Sequence, residues 1–285
     1  MTDFSRYLIA SDIDGTYLSF GGSELIPRNL EALKRFRAGG GLFTLSTGRI
    51  ACTTDPGVPM LRETINAPAV LSNGAVLYDF HKNECYEETL IDEQDVNEIL
   101  ALIRSIKLPG EHIQLSTRDA MYFDETNEAI ERYVAPARPG TIHFSSPDTW
   151  PRNTAYKLIA HGSDEKLAAL KETLRERFGD RIGTTASGPH GLEIQPGSCN
   201  KAVGLEKLRR HVGGDRILIA CGDYLNDLEM LMAADISVCP ENAHERVKAI
   251  CDYELCHCEQ GLIADIIEKI EAGELTVPEH KRRVK

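Results

Sequence analysis

Two aspartates, Asp12 and Asp14, follow the short apolar run Tyr7-Leu8-Ile9-Ala10 and precede Gly15-Thr16. Side chains two residues apart at a strand end project to the same side, so both carboxylates can address one ligand. One can attack an electrophile while the other manages protons. Gly15 allows the sharp backbone turn that must follow. Asp and Gly also favour plain turns and calcium loops. An EF-hand is excluded, because a loop counted from Asp12 carries Ser23 rather than Glu at its final ligand position.

Three more segments could join this pair. Ser46-Thr47-Gly48-Arg49 places a hydroxyl and loop amides just past the apolar run Leu42-Phe43-Thr44-Leu45. Asn200-Lys201 opens a helix after Pro196-Gly197, where an ammonium and helix N-terminal amides can face an anion. Gly222-Asp223-Tyr224-Leu225-Asn226-Asp227 ends the run Arg216–Cys221 and adds a second acidic cluster. In an open α/β sheet, ligands bind beyond the carboxyl ends of the strands. Acid pair, hydroxyl, lysine and acid cluster therefore face one edge. Other residues read two ways. Arg49 could reach a phosphate or form an ion pair, Asn73 could touch substrate or make the Asn-Gly turn, and Glu193 could serve only as partner to a cation.

The elements that position these groups alternate. Strands are expected at 7–10, 42–45 and 69–71, with a helix opened by Pro27 and closed by Gly39-Gly40-Gly41. A hairpin turning at Lys82-Asn83 follows, then helices at about 92–106, 124–135 and 163–178 among strand-like runs. The alternating texture returns near Leu192, with helices from Lys201, around 228–234, 243–251 and 262–272. The expected architecture is α/β: a Rossmann-like, doubly wound parallel-sheet core with an inserted α+β domain, in the position that the resemblance given below makes a cap domain. Residues 1–84 and 191–285 are assigned to the core and 85–190 to the cap.

Composition narrows the partners. The chain has 285 residues, 42% hydrophobic and 27% charged, enough for two unequal globular domains. Its net charge of −12 opposes binding to nucleic acid or an anionic membrane, and the tail Lys281-Arg282-Arg283 is too short to reverse that. The first residues carry no secretory pattern, so a cytoplasmic location is expected. The eight cysteines are expected as reduced, mostly packed thiols, and Cys256-His257-Cys258 lacks the spacing of a structural zinc site.

In the order of its motifs the chain resembles the haloacid dehalogenase superfamily, and within it the Cof-type branch of small-molecule phosphatases. The resemblance spans essentially the whole length, including Ser46-Thr47-Gly48-Arg49, Ser72-Asn73-Gly74-Ala75 and Glu241-Asn242-Ala243. It implies Asp12 as nucleophile, forming an aspartyl-phosphate, and Asp14 as general acid and then base. It implies that Thr47, Gly48 and Lys201 hold the phosphoryl group. Mg²⁺ would be held by Asp12, the backbone carbonyl of Asp14 and Asp223, with Asn226 and Asp227 in support. A carboxylate facing a phosphate dianion needs a cation between them, and oxygen donors suit Mg²⁺. One departure stands out: Pro240-Glu241 occupies the place where the family has Met-Gly. The expected substrate is a small phosphate ester such as a sugar phosphate, nucleotide or phosphorylated cofactor, handled by a monomer or homodimer. Alternatives are a hexose phosphomutase or a binding protein without turnover.

Overall fold

The computed structural model describes residues 2–19, 24–105, 112–186 and 190–282. Ser23, Ile106 at the end of the first helix expected after the hairpin, and Arg283 lie outside them. Fourteen strands run in chain order among the described residues. They are β1 (Tyr7–Ser11), β2 (Leu42–Leu45), β3 (Ala69–Leu71), β4 (Val76–Asp79), β5 (Glu84–Glu88), β6 (Ile113–Thr117) and β7 (Met121–Phe123). β8 (Ile142–Phe144), β9 (Ala155–His161), β10 (Ile182–Ala186), β11 (Gly191–Pro196), β12 (Ile217–Cys221), β13 (Ile236–Pro240) and β14 (Tyr253–Leu255) follow.

The chain divides into two compact units, residues 1–48, 58–86 and 200–285 in one, and 49–57 and 87–199 in the other. In the first unit the strands lie in the order β14-β13-β12-β1-β2, every pair parallel. A parallel bridge between Ser46 and Val70 brings β3 alongside the end of β2. This is the doubly wound order, and its direction reverses between β1 and β12. Asp12 follows β1 and Asp223 follows β12 closely, so the fold itself sets the two acidic segments side by side at that reversal. The strands are apolar because both faces are covered: Leu8, Ile9, Ala10, Ile219 and Ala220 are all buried. β3, β4 and β5 form a separate three-stranded sheet, with Asn83 in the left-handed region at the expected hairpin turn.

Helix Pro27–Ala38 starts on its proline and buries Ala32, Leu33 and Phe36, the last against Phe4. Helix Lys201–Val212 is capped by Asn200, whose side-chain oxygen accepts from the Val203 amide at 2.9 Å. Its buried face, Lys201, Gly204, Leu205 and Leu208, carries the lysine inward with the apolar stripe.

The second unit is a mixed six-stranded sheet in the order β10-β11-β9-β6-β7-β8. Helices Glu93–Ser105 and Asp164–Phe178 supply Val96, Ile99, Ile103, Leu170 and Leu174 to a cluster with Leu158, Leu192 and Ile194. The opposite face mixes buried apolar side chains such as Ile159 and Phe123 with polar ones, and Lys157 and Glu193 form a buried ion pair there at 2.8 Å. Two details differ from the expected division. β11 pairs with β9 and β10, so residues 191–196 belong to this sheet, and residues 49–57 group with this unit as well. All eight cysteines are free, and five of them are buried. Among the described residues, no helix is long and apolar enough to cross a membrane.

Candidate active site

The loop after β1 is pinned at both ends. The Asp12 amide donates to the Cys221 carbonyl at 2.9 Å, tying it to β12. The Tyr17 and Leu18 amides both donate to the carbonyl of Ile13, at 3.1 and 2.8 Å, which closes the turn around Asp14 and Gly15. Gly15 has φ of +83°, and a Cβ there would fall 2.5 Å from Oδ2 of Asp223. Glycine is thus required twice over, by conformation and by the close approach. Thr16 then donates its hydroxyl to Oδ1 of Asp223 at 2.7 Å.

Lys201 reaches this centre from its helix. Its Nζ donates to Oδ1 of Asp12 and to Oδ1 of Asp227, each at 2.6 Å, and its side chain is 0% exposed. The second oxygen of Asp227 accepts from the amides of Asp223 and Tyr224 at 3.0 and 3.1 Å. Both oxygens of Asp227 are therefore engaged, by the ammonium on one side and by its own loop on the other. That is the bonding of a brace, which fixes Asp223 and Lys201 relative to each other.

Ligand atoms of Asp12, Asp223 and Asp227 all lie within 4.8 Å of one another, the one such cluster among the described residues. Burial pushes Asp12 well above the usual carboxylate range despite Lys201 beside it, and Asp223 is pushed up to about 6 by burial and the charge of Asp227. Lys201 is held above the ordinary lysine range, the two carboxylates outweighing its burial. One ammonium among three buried carboxylates leaves a shortfall of positive charge. A divalent cation on hard oxygen donors fits that shortfall, and Asp12 and Asp223 are the members with an oxygen not committed to Lys201 or to the Asp223–Tyr224 loop.

The other expected residues fall into place around this edge or away from it. Thr47 is buried, donates its amide to the Val70 carbonyl at 2.9 Å and accepts from the Asn73 amide at 3.0 Å. Gly48 follows it, half-buried. Ser72 and Asn73 are both left-handed, with φ of 49° and 52°, an unfavourable conformation for two successive side-chain-bearing residues. Gly74 after them packs so tightly that a Cβ would lie 2.0 Å from the Asn200 carbonyl. Thr47, Asn73 and the start of the Lys201 helix thus form one continuous run of contacts. Asn226 lies half-buried in the 3₁₀ turn Leu225–Asp227. Arg49 belongs to the second unit, with Nη1 against Gly57. Glu193 pairs with Lys157, the ion-pair reading of that residue. Two residues were not singled out from sequence: Thr16, next to the acid pair, and Asn242, in the late Glu-Asn-Ala segment.

The model of the haloacid dehalogenase-like hydrolases matches residues 9–267. The chain belongs to that family. Among its relatives is the 5-amino-6-(5-phospho-D-ribitylamino)uracil phosphatase YwtE of Bacillus subtilis (strain 168), 26% identical, with 93% of this chain and 98% of the relative covered. The pyridoxal phosphate phosphatase YbhA of Escherichia coli (strain K12) is 28% identical, covering 85% of this chain and 90% of its own. The crystal structure of SMU.1108c from Streptococcus mutans UA159 superposes with a TM-score of 0.80 at 26% identity, over 93% and 98% of the two chains. This haloacid dehalogenase-like hydrolase is an enzyme of the phosphoric monoester hydrolase type, as the motif resemblance implies.

Proposed function

We propose that the chain is a Mg²⁺-dependent phosphatase of small phosphorylated metabolites that works through an aspartyl-phosphate on Asp12. The observation that carries the reading is the fully buried Lys201, shared at 2.6 Å between Asp12 and Asp227 beside Asp223. An ammonium so placed steadies a carboxylate that must approach an anion and stands ready to offset the charge of a transferring phosphoryl group.

In this mechanism the Asp12 oxygen not engaged by Lys201 attacks phosphorus. The bond from phosphorus to the ester oxygen breaks, and Asp14 gives that oxygen its proton. Asp14, now a carboxylate, takes a proton from water, whose oxygen attacks the phosphoryl group and restores Asp12. Thr47 and the amide of Gly48 hold phosphoryl oxygens, while Asp227 and Asn226 keep the Asp223 loop in place. Mg²⁺ bound by Asp12, Asp223 and the backbone carbonyl of Asp14 would neutralise the phosphate charge that repels the nucleophile. We assign the choice among leaving groups to the second unit as cap. The relatives named for pyridoxal phosphate and for a ribitylaminouracil phosphate support phosphorylated cofactors and their precursors as substrates to try first.

The test is hydrolysis of p-nitrophenyl phosphate and of a panel holding those two compounds, sugar phosphates and nucleotides, with Mg²⁺ or with EDTA. Wild type should turn over only with Mg²⁺, and Asp12→Asn should be inactive. Full activity of Asp12→Asn would remove Asp12 as nucleophile.

A further inference from the structure

We infer that Asn242 is a positioning residue for this centre, tying the loop that carries Asp14 to the loop after β13 and holding Asp223 through it. The inference rests on the reading above that Asp12 and Asp223 bind the divalent cation. Asn242 lies 227 positions from Gly15 in the chain, yet its Nδ2 donates to the Gly15 carbonyl at 2.7 Å. Its Oδ1 accepts from the Cys258 amide at 3.0 Å. A carbonyl can only accept and an amide N–H can only donate, so the two partners fix which way the side-chain amide points and require both of its functions.

The consequence runs to Asp223 by two routes. The Gly15 carbonyl belongs to the peptide that leads into Thr16, whose hydroxyl holds Oδ1 of Asp223. Gly15 also packs directly on that carboxylate, so a shift of its backbone is a shift of the surface on which Asp223 rests. From the other side, the His244 amide donates to the Asp223 carbonyl at 2.9 Å, and the turn is closed by Ala243 N–H to the Pro240 carbonyl at 2.9 Å. Residues 240–244 thus grip the first acidic loop with the Asn242 side chain and the second with the His244 main chain. Asn242 is itself solvent-exposed, so it contributes little to the packed core. A polar side chain at the surface with both functions spent on loop backbone serves placement.

The experiment uses the full chain. Mg²⁺ binding is measured by titration calorimetry without substrate, and turnover of p-nitrophenyl phosphate is measured alongside, for wild type, Asn242→Ala, Thr16→Val, the double variant and Asp223→Asn. Losing one net hydrogen bond predicts Mg²⁺ binding weaker by about threefold to tenfold in Asn242→Ala, with kcat lowered, KM unchanged and the melting temperature near wild type. The double variant should lose less than the product of the single losses, because both act on one carboxylate. If Asp223→Asn loses Mg²⁺ while Asn242→Ala binds and turns over like wild type, the positioning role is overturned and the metal site stands. If Asp223→Asn binds Mg²⁺ normally, the metal reading fails and the positioning role falls with it.

Discussion

Replacing Lys201 by methionine tests the electrostatic design of the site most directly. The substitution keeps the length and apolar stem of the side chain and removes only the charge. It leaves Asp12 and Asp227, each 2.6 Å from the lost ammonium, as buried carboxylates without that partner. Removing one partner of a buried ion pair costs about 3–5 kcal/mol, since the remaining charge stays desolvated. At about 2–4 °C per kcal/mol for a chain of this size class, that is a fall in melting temperature of about 6–20 °C. The loss should depend on pH with a definite sign. Asp12 and Asp223 are already raised by burial, and without the ammonium they hold protons in the folded state that they release on unfolding, so stability falls as pH rises through their raised folded values. The variant should therefore be closest to wild type at about pH 4 and below, and furthest from it near pH 8. In wild type the ammonium stays charged throughout, because its affinity for the proton is raised above the ordinary lysine range. The assay is thermal unfolding in EDTA across that range, followed by turnover with Mg²⁺, which should drop by about 10²–10³. A variant that melts within about 2 °C of wild type near pH 8, or keeps more than about a tenth of kcat, would refute the reasoning.

Two further outcomes follow from the geometry. Gly15→Ala combines a left-handed backbone with a Cβ 2.5 Å from Asp223 Oδ2, so it should destabilise by about 1–3 kcal/mol and lower kcat more than a surface Gly→Ala control such as Gly140→Ala. His161 stacks on His112 at 3.9 Å and is pulled down to about 4, by burial first and then by His112. The unfolded chain therefore takes up a proton between about pH 6.5 and pH 4 that the folded chain refuses, and stability is lost as pH falls through that window. Near pH 5 the loss attributable to His161 is about 2 kcal/mol, and His161→Gln should flatten the melting curve there by that amount; an unchanged slope would reject it.

How much of this is legible in the sequence depends on the range over which each signal acts. That Asp12, Asp223 and Lys201 come together is legible because each stands where an apolar run stops abruptly or a helix begins, and parallel sheets bring such ends to one edge. The braces cannot be found that way. Thr16 reaches Asp223 across 207 positions and Asn242 reaches Gly15 across 227, and no local periodicity encodes either contact. Strand β11 misleads for another reason. Leu192 and Ile194 face the helix-covered cluster while Glu193 is buried on the opposite face by pairing with Lys157, so a strand of the second sheet reads as a return to the first. The Pro240-Glu241 departure shows the same limit from the other side. A changed pair of residues beside the proposed catalytic edge looks like a threat to the site, but Pro240 is used there through its carbonyl and Glu241 is exposed. The contacts that reach the acidic loops come from the Asn242 side chain and the His244 amide. What the loop must preserve is therefore a path for the backbone and one amide side chain, and a proline with its fixed φ at the end of β13 restricts that path as it leaves the sheet.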